Sequence, residues 1–316
     1  MSLKNEVSVV CPVYCSEATL EHLVNEICRA LTTGFKFEII LVDDGSKDSS
    51  WNKILQICDS NPYVRGIRLN RNFGQHGALL AGIRSAQYEV TVTLDDDLQN
   101  PPVEIPKLLN ALTSGIDVVY GVGIKSEHSV WRKLTSRFIR RLFYLLLGYS
   151  EASQISSFRA FRTHLRNGFA GNLGPSISID SLLTWSTESF KHVDVEHRKR
   201  MSGKSNYGLI RLIQHMINSA TSYSVVPLRL ATTLGSIVTI LGFIMFLWVT
   251  LRPLFSGVSV PGFPLLAASL AIFSGTQLLV LGILGEYIGK MHFRVMNKPS
   301  FVIVESSEKT NAFNTL

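Results

Sequence analysis

The sequence carries little charge for its length, because Asp, Glu, Lys and Arg make up only 17% of its 316 residues. A disordered chain, or one that coats nucleic acid, carries far more charge, so both classes are excluded. The mean hydropathy of +0.21 indicates that apolar residues are concentrated in lipid-facing segments. Lys and Arg nevertheless outnumber Asp and Glu, 31 to 24, and the net charge of +7 predicts a basic surface beside those segments.

Cysteine is also scarce, and the four present, Cys11, Cys15, Cys28 and Cys58, form no CxxC pair. This excludes the usual zinc-site pattern and predicts free thiols in a reducing compartment. A secretory signal is missing too, because the first apolar run, 7–13, is short and has neither a basic segment nor a cleavage pattern around it. We therefore expect the amino-terminal part to be cytoplasmic.

Glycine-rich nucleotide loops are missing as well. Gly121-Val-Gly123 lacks the third glycine of the dinucleotide fingerprint, since Ser126 stands at that position. Gly203-Lys-Ser205 has no partner glycine at the spacing of a Walker A loop. The sequence therefore predicts neither a nicotinamide-binding loop nor a Walker A loop.

Two long uncharged runs, 230–251 and 263–285, are present instead. At about 1.5 Å per residue each reaches roughly 33 Å, which is enough to cross the hydrocarbon core of a bilayer. One basic residue lies between the runs, whereas the outer ends are flanked by Arg211, Arg229, Lys290, Arg294 and Lys298. The positive-inside rule then predicts a multi-pass hairpin with both termini in the cytoplasm.

The first 120 residues alternate strand and helix signals. Strands are predicted at 7–13, 37–42, 64–69, 90–94 and 118–120, and helices at 17–31, 49–59, 75–86 and 103–114. This alternation is typical of a parallel sheet flanked by helices, with ligands bound beyond the carboxyl ends of the strands.

Polar residues cluster at those strand ends. Pro12-Val-Tyr14 follows the first strand, Asp43-Asp44-Gly45-Ser46 the second, and Asp95-Asp96-Asp97 the fourth. Adjacent carboxylates repel one another unless a cation or hydrogen-bond donors compensate them. Oxygen ligands of this kind suit Mg²⁺ or Mn²⁺, which would also bind the oxygens of a diphosphate.

Two further segments, about 130–149 and 207–224, have amphipathic helical patterns. The first carries basic residues, Arg132 and Arg137 among them, beside an apolar stripe, and this composition suits an anionic membrane surface. Packing onto the domain or a partner subunit is the alternative for both segments.

A basic group follows, at Arg159, Arg162 and Arg166 and again at His197-Arg-Lys-Arg200 and Gly203-Lys204-Ser205. Arginine suits bidentate contact with phosphate. A solvated basic face near the membrane is the alternative interpretation.

Taken in order, these motifs resemble a known family. The resemblance rests on six motifs followed by the hairpin: Pro12-Val-Tyr14, Val42-Asp-Asp-Gly-Ser46, Asn70-Arg-Asn-Phe-Gly74, Asp95-Asp-Asp-Leu-Gln-Asn-Pro-Pro102, Ser157-Phe-Arg159 and Gly203-Lys-Ser-Asn-Tyr207. The series is similar to the polyprenyl-phosphate glycosyltransferases of family 2. That group includes bactoprenol glucosyltransferases, the aminoarabinose transferase of lipid A modification and dolichol-phosphate mannose synthases.

The resemblance implies an α/β GT-A domain, Rossmann-like and typical of nucleotide-diphospho-sugar transferases, with interfacial helices and a transmembrane hairpin. Its implied bounds are 1–225 for the cytoplasmic catalytic domain, 226–290 for the hairpin and 291–316 for a cytoplasmic tail. It implies inverting transfer from a nucleotide sugar, UDP-linked by closeness to bacterial members, to a polyprenyl phosphate such as undecaprenyl phosphate. The inner membrane is the implied location, and lipopolysaccharide or another cell-surface glycan the implied product.

Residue roles follow from the same resemblance. It assigns the Mg²⁺ or Mn²⁺ to Asp95 and Asp97, and the nucleotide sugar to Pro12, Tyr14, Asp43, Asp44, Asp95 and Asp96. Asp97, Arg159 and Arg200 are the implied catalytic residues, and Arg132, Arg137, Lys204 and Ser205 the implied contacts of the acceptor phosphate. A second copy of the chain, a flippase and a downstream glycosyltransferase are further expected partners, whereas nucleic acid is not.

This chain departs from the family pattern at Ser16, Ser157 and Asn206, where many relatives have Glu, a proposed Asp base and Lys. These departures motivate one alternative, a membrane-anchored nucleotide-sugar-binding scaffold that has lost catalysis. A processive polysaccharide synthase is disfavoured because a Gln-x-x-Arg-Trp motif and further spans are missing. A transporter is disfavoured because two helices per chain cannot enclose a pathway.

Overall fold

The computed structural model describes residues 6–123, 156–169, 171, 178–198, 225–256, 262–296 and 298–307. Both amphipathic segments lie outside these residues, as do five of the candidate phosphate contacts: Arg132, Arg137, Arg200, Lys204 and Ser205. Within the described ranges the chain forms two compact units, one built around a sheet and one built from two long helices.

The sheet contains eight strands in the described ranges: β1 Glu6–Val13, β2 Lys36–Asp43, β3 Val64–Leu69, β4 Val90–Thr93, β5 Val118–Gly123, β6 Arg159–Arg162, β7 Phe190–Val195 and β8 Ile303–Ser306. The described helices are α1 Leu20–Leu31, α2 Ser50–Ser60, α3 Gln75–Ser85, α4 Ile105–Ala111, α5 Ile179–Ser186, α6 Val226–Ser256 and α7 Gly262–Val295. Short 3-10 helices cover Pro102–Glu104 and Thr163–Phe169. The predicted elements of the first 120 residues are therefore present, with ends shifted by a few residues.

The strand order is β7-β5-β6-β4-β1-β2-β3-β8. Strand β1 pairs in parallel with β2 and β4, β2 with β3, and β5 with β7. Strand β6 runs antiparallel to β4 and β5, and β8 runs antiparallel to β3. The predicted parallel sheet thus holds for the first four strands, but the complete sheet is mixed.

Each face of the sheet is covered by its own apolar layer. Successive strand side chains point to opposite faces, so Val9 packs in the layer with α1, α2 and α4, whereas Val10 packs in the layer with α3 and α5. On α3, a Cβ added at Gly82 would lie 2.4 Å from the Val10 side chain, so glycine lets this helix approach the sheet closely. The two layers hold the central strands rigidly, and with them the loops at their carboxyl ends.

Strand β8 lies within the segment 291–316 that the sequence predicts to be a cytoplasmic tail. It extends the sheet beyond β3, where the Asn70 amide donates to the Val302 carbonyl at 2.9 Å and the Ser307 amide to the Gly66 carbonyl at 3.0 Å. Four residues are too short for a periodic sequence signal, and the strand exists because the edge of β3 supplies its hydrogen bonds. The chain after α7 therefore returns to the sheet unit.

The second unit contains α6 and α7, of 31 and 34 residues. Val226–Met245 and Ile272–His292 are long and apolar enough to cross a membrane, with mean hydropathies of 1.7 and 1.4. Only 6% and 0% of their most apolar windows are buried, unlike the core helices of a soluble protein. The two helices contact each other at Gly242, where a Cβ would lie 2.3 Å from the Phe273 ring.

Candidate active site

A pocket opens at the carboxyl ends of β1, β2 and β4, as expected for a parallel sheet. It has a volume of about 240 Å³, and six candidate residues line it: Pro12, Tyr14, Asp44, Asp95, Asp96 and Asp97. The loop after β3 adds Asn72 and Gly74, and α3 adds Gln75. A larger cavity of about 840 Å³ shares Tyr14, Asp96 and Asp97 with it. The fold therefore brings together residues that are more than 80 positions apart in the sequence.

The loop after β1 is held by hydrogen bonds from its own backbone. The Tyr14 amide donates to Asp96 Oδ2 at 3.3 Å, and the Cys15 amide donates to Ser46 Oγ at 3.0 Å. Cys15 has a left-handed backbone with φ of 53°, which is unfavourable for a residue with a side chain. The Tyr14 ring remains 46% exposed at the pocket, where it is available for stacking on a base.

The two aspartates after β2 are both buried and play different parts. Asp43 Oδ1 accepts a hydrogen bond from the Ser46 amide at 3.2 Å, and its Oδ2 lies 3.5 Å from Arg68 Nε. Asp43 does not line the pocket, so the structure places it beneath the turn rather than at the pocket surface.

Asp44 lies at the pocket wall and holds the loop after β3. Its Oδ1 accepts from the Phe73 amide at 2.7 Å and its Oδ2 from the Gly74 amide at 2.9 Å. Burial raises the pKa of Asp44 to about 6, although the two amide hydrogen bonds act in the opposite direction. Asp44 thus links the second and third loops of the site.

The acidic triplet after β4 is held by neutral donors. Gln75 Nε2 donates to Asp95 Oδ1 at 2.5 Å, and Ser157 Oγ donates to Asp95 Oδ2 at 2.6 Å. Asp97 Oδ1 accepts from the Gln99 amide at 3.1 Å. Burial, together with the charges of Asp95 and Asp97, raises the pKa of Asp96 to about 6. Negative charge is therefore concentrated at this edge of the pocket.

Asp95 and Asp97 could hold a divalent cation, but not by themselves. The described part of the chain contains no group of three or more His, Cys, Asp or Glu side chains arranged around a metal position. Protein-bound Mg²⁺ often uses only one or two carboxylates and takes its remaining ligands from substrate phosphates and water. The donor set here fits that second kind of site, because both aspartates line the pocket that a diphosphate would enter.

Arg159 lies in the core of the sheet rather than at the pocket surface. Its side chain is 1% exposed, its Nε donates to Thr93 Oγ1 at 3.0 Å, and its Nη1 is ion-paired with Asp180 Oδ1. The Tyr120 hydroxyl also donates to Asp180 Oδ1, at 3.2 Å. The guanidinium is enclosed in the sheet core and is not among the residues that line the pocket, so the described structure does not bring it together with the other predicted site residues.

Sequence reasoning missed three residues around the triplet: Gln75, Thr93 and Asp180. Gln75 follows Gly74 at the start of α3. The glycine is a sequence signal that could have marked a constrained turn, and in the structure it has a positive φ. Thr93 and Asp180 belong to no motif: the pairing of β4 with β6 brings Thr93 to Arg159, and helix α5 brings Asp180. Their roles could not have been read from spacing.

Comparison with known proteins gives consistent results. The family model for glycosyl transferase family 2 matches residues 8–168. Undecaprenyl-phosphate 4-deoxy-4-formamido-L-arabinose transferase of Pectobacterium carotovorum is 35% identical over 319 residues, covering 99% of this chain and 97% of that protein. The enzyme of the same name from Yersinia pestis is 36% identical over 314 residues, covering 96% and 95%.

Among solved structures, glucosyl-3-phosphoglycerate synthase from Mycobacterium tuberculosis, in complex with Mn²⁺, uridine diphosphate and glucosyl-3-phosphoglycerate, has a similar fold. The TM-score is 0.52 at 21% sequence identity, over 68% of this chain and 77% of that chain. At this identity the likeness concerns the fold alone.

Proposed function

This chain belongs to glycosyl transferase family 2, and from that premise we propose that it transfers a sugar from a nucleotide sugar to undecaprenyl phosphate at a membrane surface. The observation that carries the proposal is the near full-length similarity to undecaprenyl-phosphate transferases, which includes the two long apolar helices as well as the sheet domain. Modification of lipopolysaccharide or another cell-surface glycan is the corresponding role.

The pocket at the strand ends is the proposed donor site. Tyr14 stacks on the base, with Pro12 beside it, and the donor diphosphate extends toward the acidic triplet. Asp95 and Asp97 hold Mg²⁺ or Mn²⁺, which when bound neutralises charge on the diphosphate. The donor is UDP-linked in this proposal.

The reaction needs no general base in this proposal. The acceptor phosphate monoester has a second pKa of about 6, so its oxygen is largely ionised at neutral pH. That oxygen forms a bond to the anomeric carbon while the bond from this carbon to the donor diphosphate breaks, which inverts the configuration. Serine at position 157 is compatible with this chemistry, because positioning and charge neutralisation do more for such a nucleophile than proton removal.

Membrane attachment would bring the domain to its lipid acceptor. We propose that the two spans form a hairpin in the inner membrane, with the catalytic domain and both termini cytoplasmic, in line with the basic residues at the outer ends. The predicted contacts of the acceptor phosphate lie outside the described ranges. They are the basic residues Arg132, Arg137, Arg200 and Lys204, together with Ser205.

The test is direct. Detergent-purified protein is incubated with undecaprenyl phosphate, Mg²⁺ or Mn²⁺ and a panel of UDP- and GDP-sugars, and the glycolipid is identified by mass, with and without a chelator. We expect one monophosphate-linked product whose formation stops when the metal is removed. Nucleotide binding without product from any donor would contradict the proposal and favour the catalytically inactive scaffold.

A further inference from the structure

Asp95 is held from two sides by different parts of the fold. Gln75, the first residue of α3, donates to one carboxylate oxygen at 2.5 Å, and Ser157, just before β6, donates to the other at 2.6 Å. Both donors are neutral, so these two hydrogen bonds restrict the orientation of the carboxylate without adding a positive charge beside it. A lysine or arginine at either position would instead add that charge.

The Ser157 side is fixed by a directional chain of hydrogen bonds. Thr93 Oγ1 donates to the Ser157 carbonyl at 2.7 Å and accepts from Arg159 Nε at 3.0 Å. A hydroxyl has one proton, and the arginine can only donate, so the direction of both bonds is determined. The backbone at Ser157 is thereby anchored, and its hydroxyl is aimed at Asp95.

The buried Arg159 supplies the far end of this chain. Its guanidinium is ion-paired with Asp180 on α5, which also accepts from the Tyr120 hydroxyl. Enclosing a charge in the core is unfavourable unless it is paired and hydrogen-bonded, as it is here. Arg159 therefore reaches the site through Thr93 and Ser157.

The Gln75 side is fixed through Asp44. The Asp44 carboxylate accepts from the Phe73 and Gly74 amides, immediately before Gln75. Gly74 has φ of 86°, a conformation open to glycine, and this turn sets the first residue of α3 beside the triplet. Two separate networks thus converge on one carboxylate.

We propose that Ser157 and Gln75 are positioning residues, which hold Asp95 in the orientation that binds the divalent cation with the donor diphosphate. Arg159 acts through Ser157 and contacts no substrate. The inference rests on the cation role of Asp95 in the proposed function. It also gives Ser157 a task other than that of a general base: the serine donates a hydrogen bond to Asp95 and accepts no proton from substrate.

The test measures Mn²⁺ binding to the full-length protein in detergent with UDP present, by electron paramagnetic resonance of the free ion. Outer-shell substitutions typically weaken metal affinity by about 10- to 100-fold, so we expect about a 10-fold loss for Ser157→Ala and for Gln75→Leu. Ser157→Thr keeps the hydroxyl and should stay within about 3-fold of wild type. Matched controls are Ser85→Ala, whose hydroxyl donates to the Ala81 carbonyl in α3, and Gln87→Leu, which is exposed before β4.

A double-mutant cycle separates positioning from a general structural effect. In an Asp95→Asn background, Ser157→Ala should cause almost no further loss of Mn²⁺ affinity, because the carboxylate it orients is gone. Equal Mn²⁺ affinity in wild type and Ser157→Ala, or a full additional loss in the double variant, would overturn the inference.

Product formation is scored separately in the same preparations. A wild-type protein that makes glycolipid but binds no Mn²⁺ with UDP would overturn this inference and leave the transferase function standing. A wild-type protein that binds Mn²⁺ and UDP but makes no glycolipid would contradict the proposed function, and the variant affinities would still decide the roles of Ser157 and Gln75.

Discussion

Glu38, at the amino end of the central strands, and Asp44 and Asp95, at the carboxyl end, are held by different kinds of hydrogen-bond donor. At the amino end, Glu38 of β2 accepts from Ser8 Oγ at 2.6 Å, from the Gln87 amide at 2.7 Å and from Arg65 Nε at 2.8 Å. At the carboxyl end, the hydrogen-bond donors to Asp44 and Asp95 described above are backbone amides, a glutamine and a serine.

We interpret this difference as that between a structural site and the proposed binding site. At Glu38 the guanidinium cancels the charge, so this end of the sheet needs no ligand to be satisfied. At Asp44 and Asp95 the donors named above are neutral, and burial raises the pKa values of Asp44 and Asp96 to about 6. The proposed donor pocket lies at the end where these neutral donors are found.

We expect the largest loss of stability when Glu38 is replaced. Glu38→Ala removes the carboxylate that is paired with the partly buried Arg65 guanidinium, and breaking such a pair typically costs about 3–5 kcal/mol of unfolding free energy. Chemical denaturation of the purified protein measures this loss. Turnover per folded molecule should stay near wild type. A specific loss of turnover in folded Glu38→Ala would contradict a purely structural role for Glu38.

Asp97→Ala should lower turnover and leave stability almost unchanged. Removing a group that stabilises developing charge typically lowers turnover by about 10²- to 10³-fold, equivalent to about 3–4 kcal/mol in the barrier. Stability should change by less than about 1 kcal/mol, because Asp97 lies in the pocket wall. Near-normal turnover with intact metal dependence would remove Asp97 from the cation site.

Alanine substitutions at two glycines should have smaller effects on stability, and only one of them should weaken ligand binding. Gly34 precedes β2 and Gly45 follows it, both with positive φ, so alanine at either should cost about 1–3 kcal/mol of stability. A Cβ at Gly34 would meet nothing within 4 Å, whereas one at Gly45 would lie 2.6 Å from the Arg71 backbone. Calorimetric titration with UDP should therefore show weaker binding for Gly45→Ala alone, and equal effects on binding would contradict this.

The smallest effect concerns the titration of Asp44. Its pKa of about 6 lies above the ordinary value of 3.8, so the folded protein holds this proton more tightly than the unfolded chain does. The stability of wild type relative to Asp44→Asn should therefore rise as the pH falls from about 6 to 4, and should be constant above about 7. Denaturation curves of both proteins across this range provide the check, and a difference that does not change with pH would show that Asp44 has an ordinary pKa.

Much of this molecule could be predicted from local pattern. The alternation up to residue 120 predicts β1 to β5 and α1 to α4 because strand and helix periodicities are properties of short segments. The polarity of parallel strands then predicts that Tyr14, Asp44 and the triplet share one edge, and the pocket contains them all. The long apolar helices follow from composition alone.

Tertiary structure decided what each polar side chain faces. The same arginine that suits a phosphate in sequence is buried: the pairing of β6 with β4 places Arg159 beside Thr93, and helix α5 supplies Asp180. Asp44 holds the next loop and Ser157 holds Asp95, through contacts 30 and 62 residues apart in the sequence. Sequence determines which chemical groups are present and at which end of the sheet they lie, because both follow from local periodicity. Only long-range strand pairing and packing determine which groups cancel one another and which are left to bind a ligand.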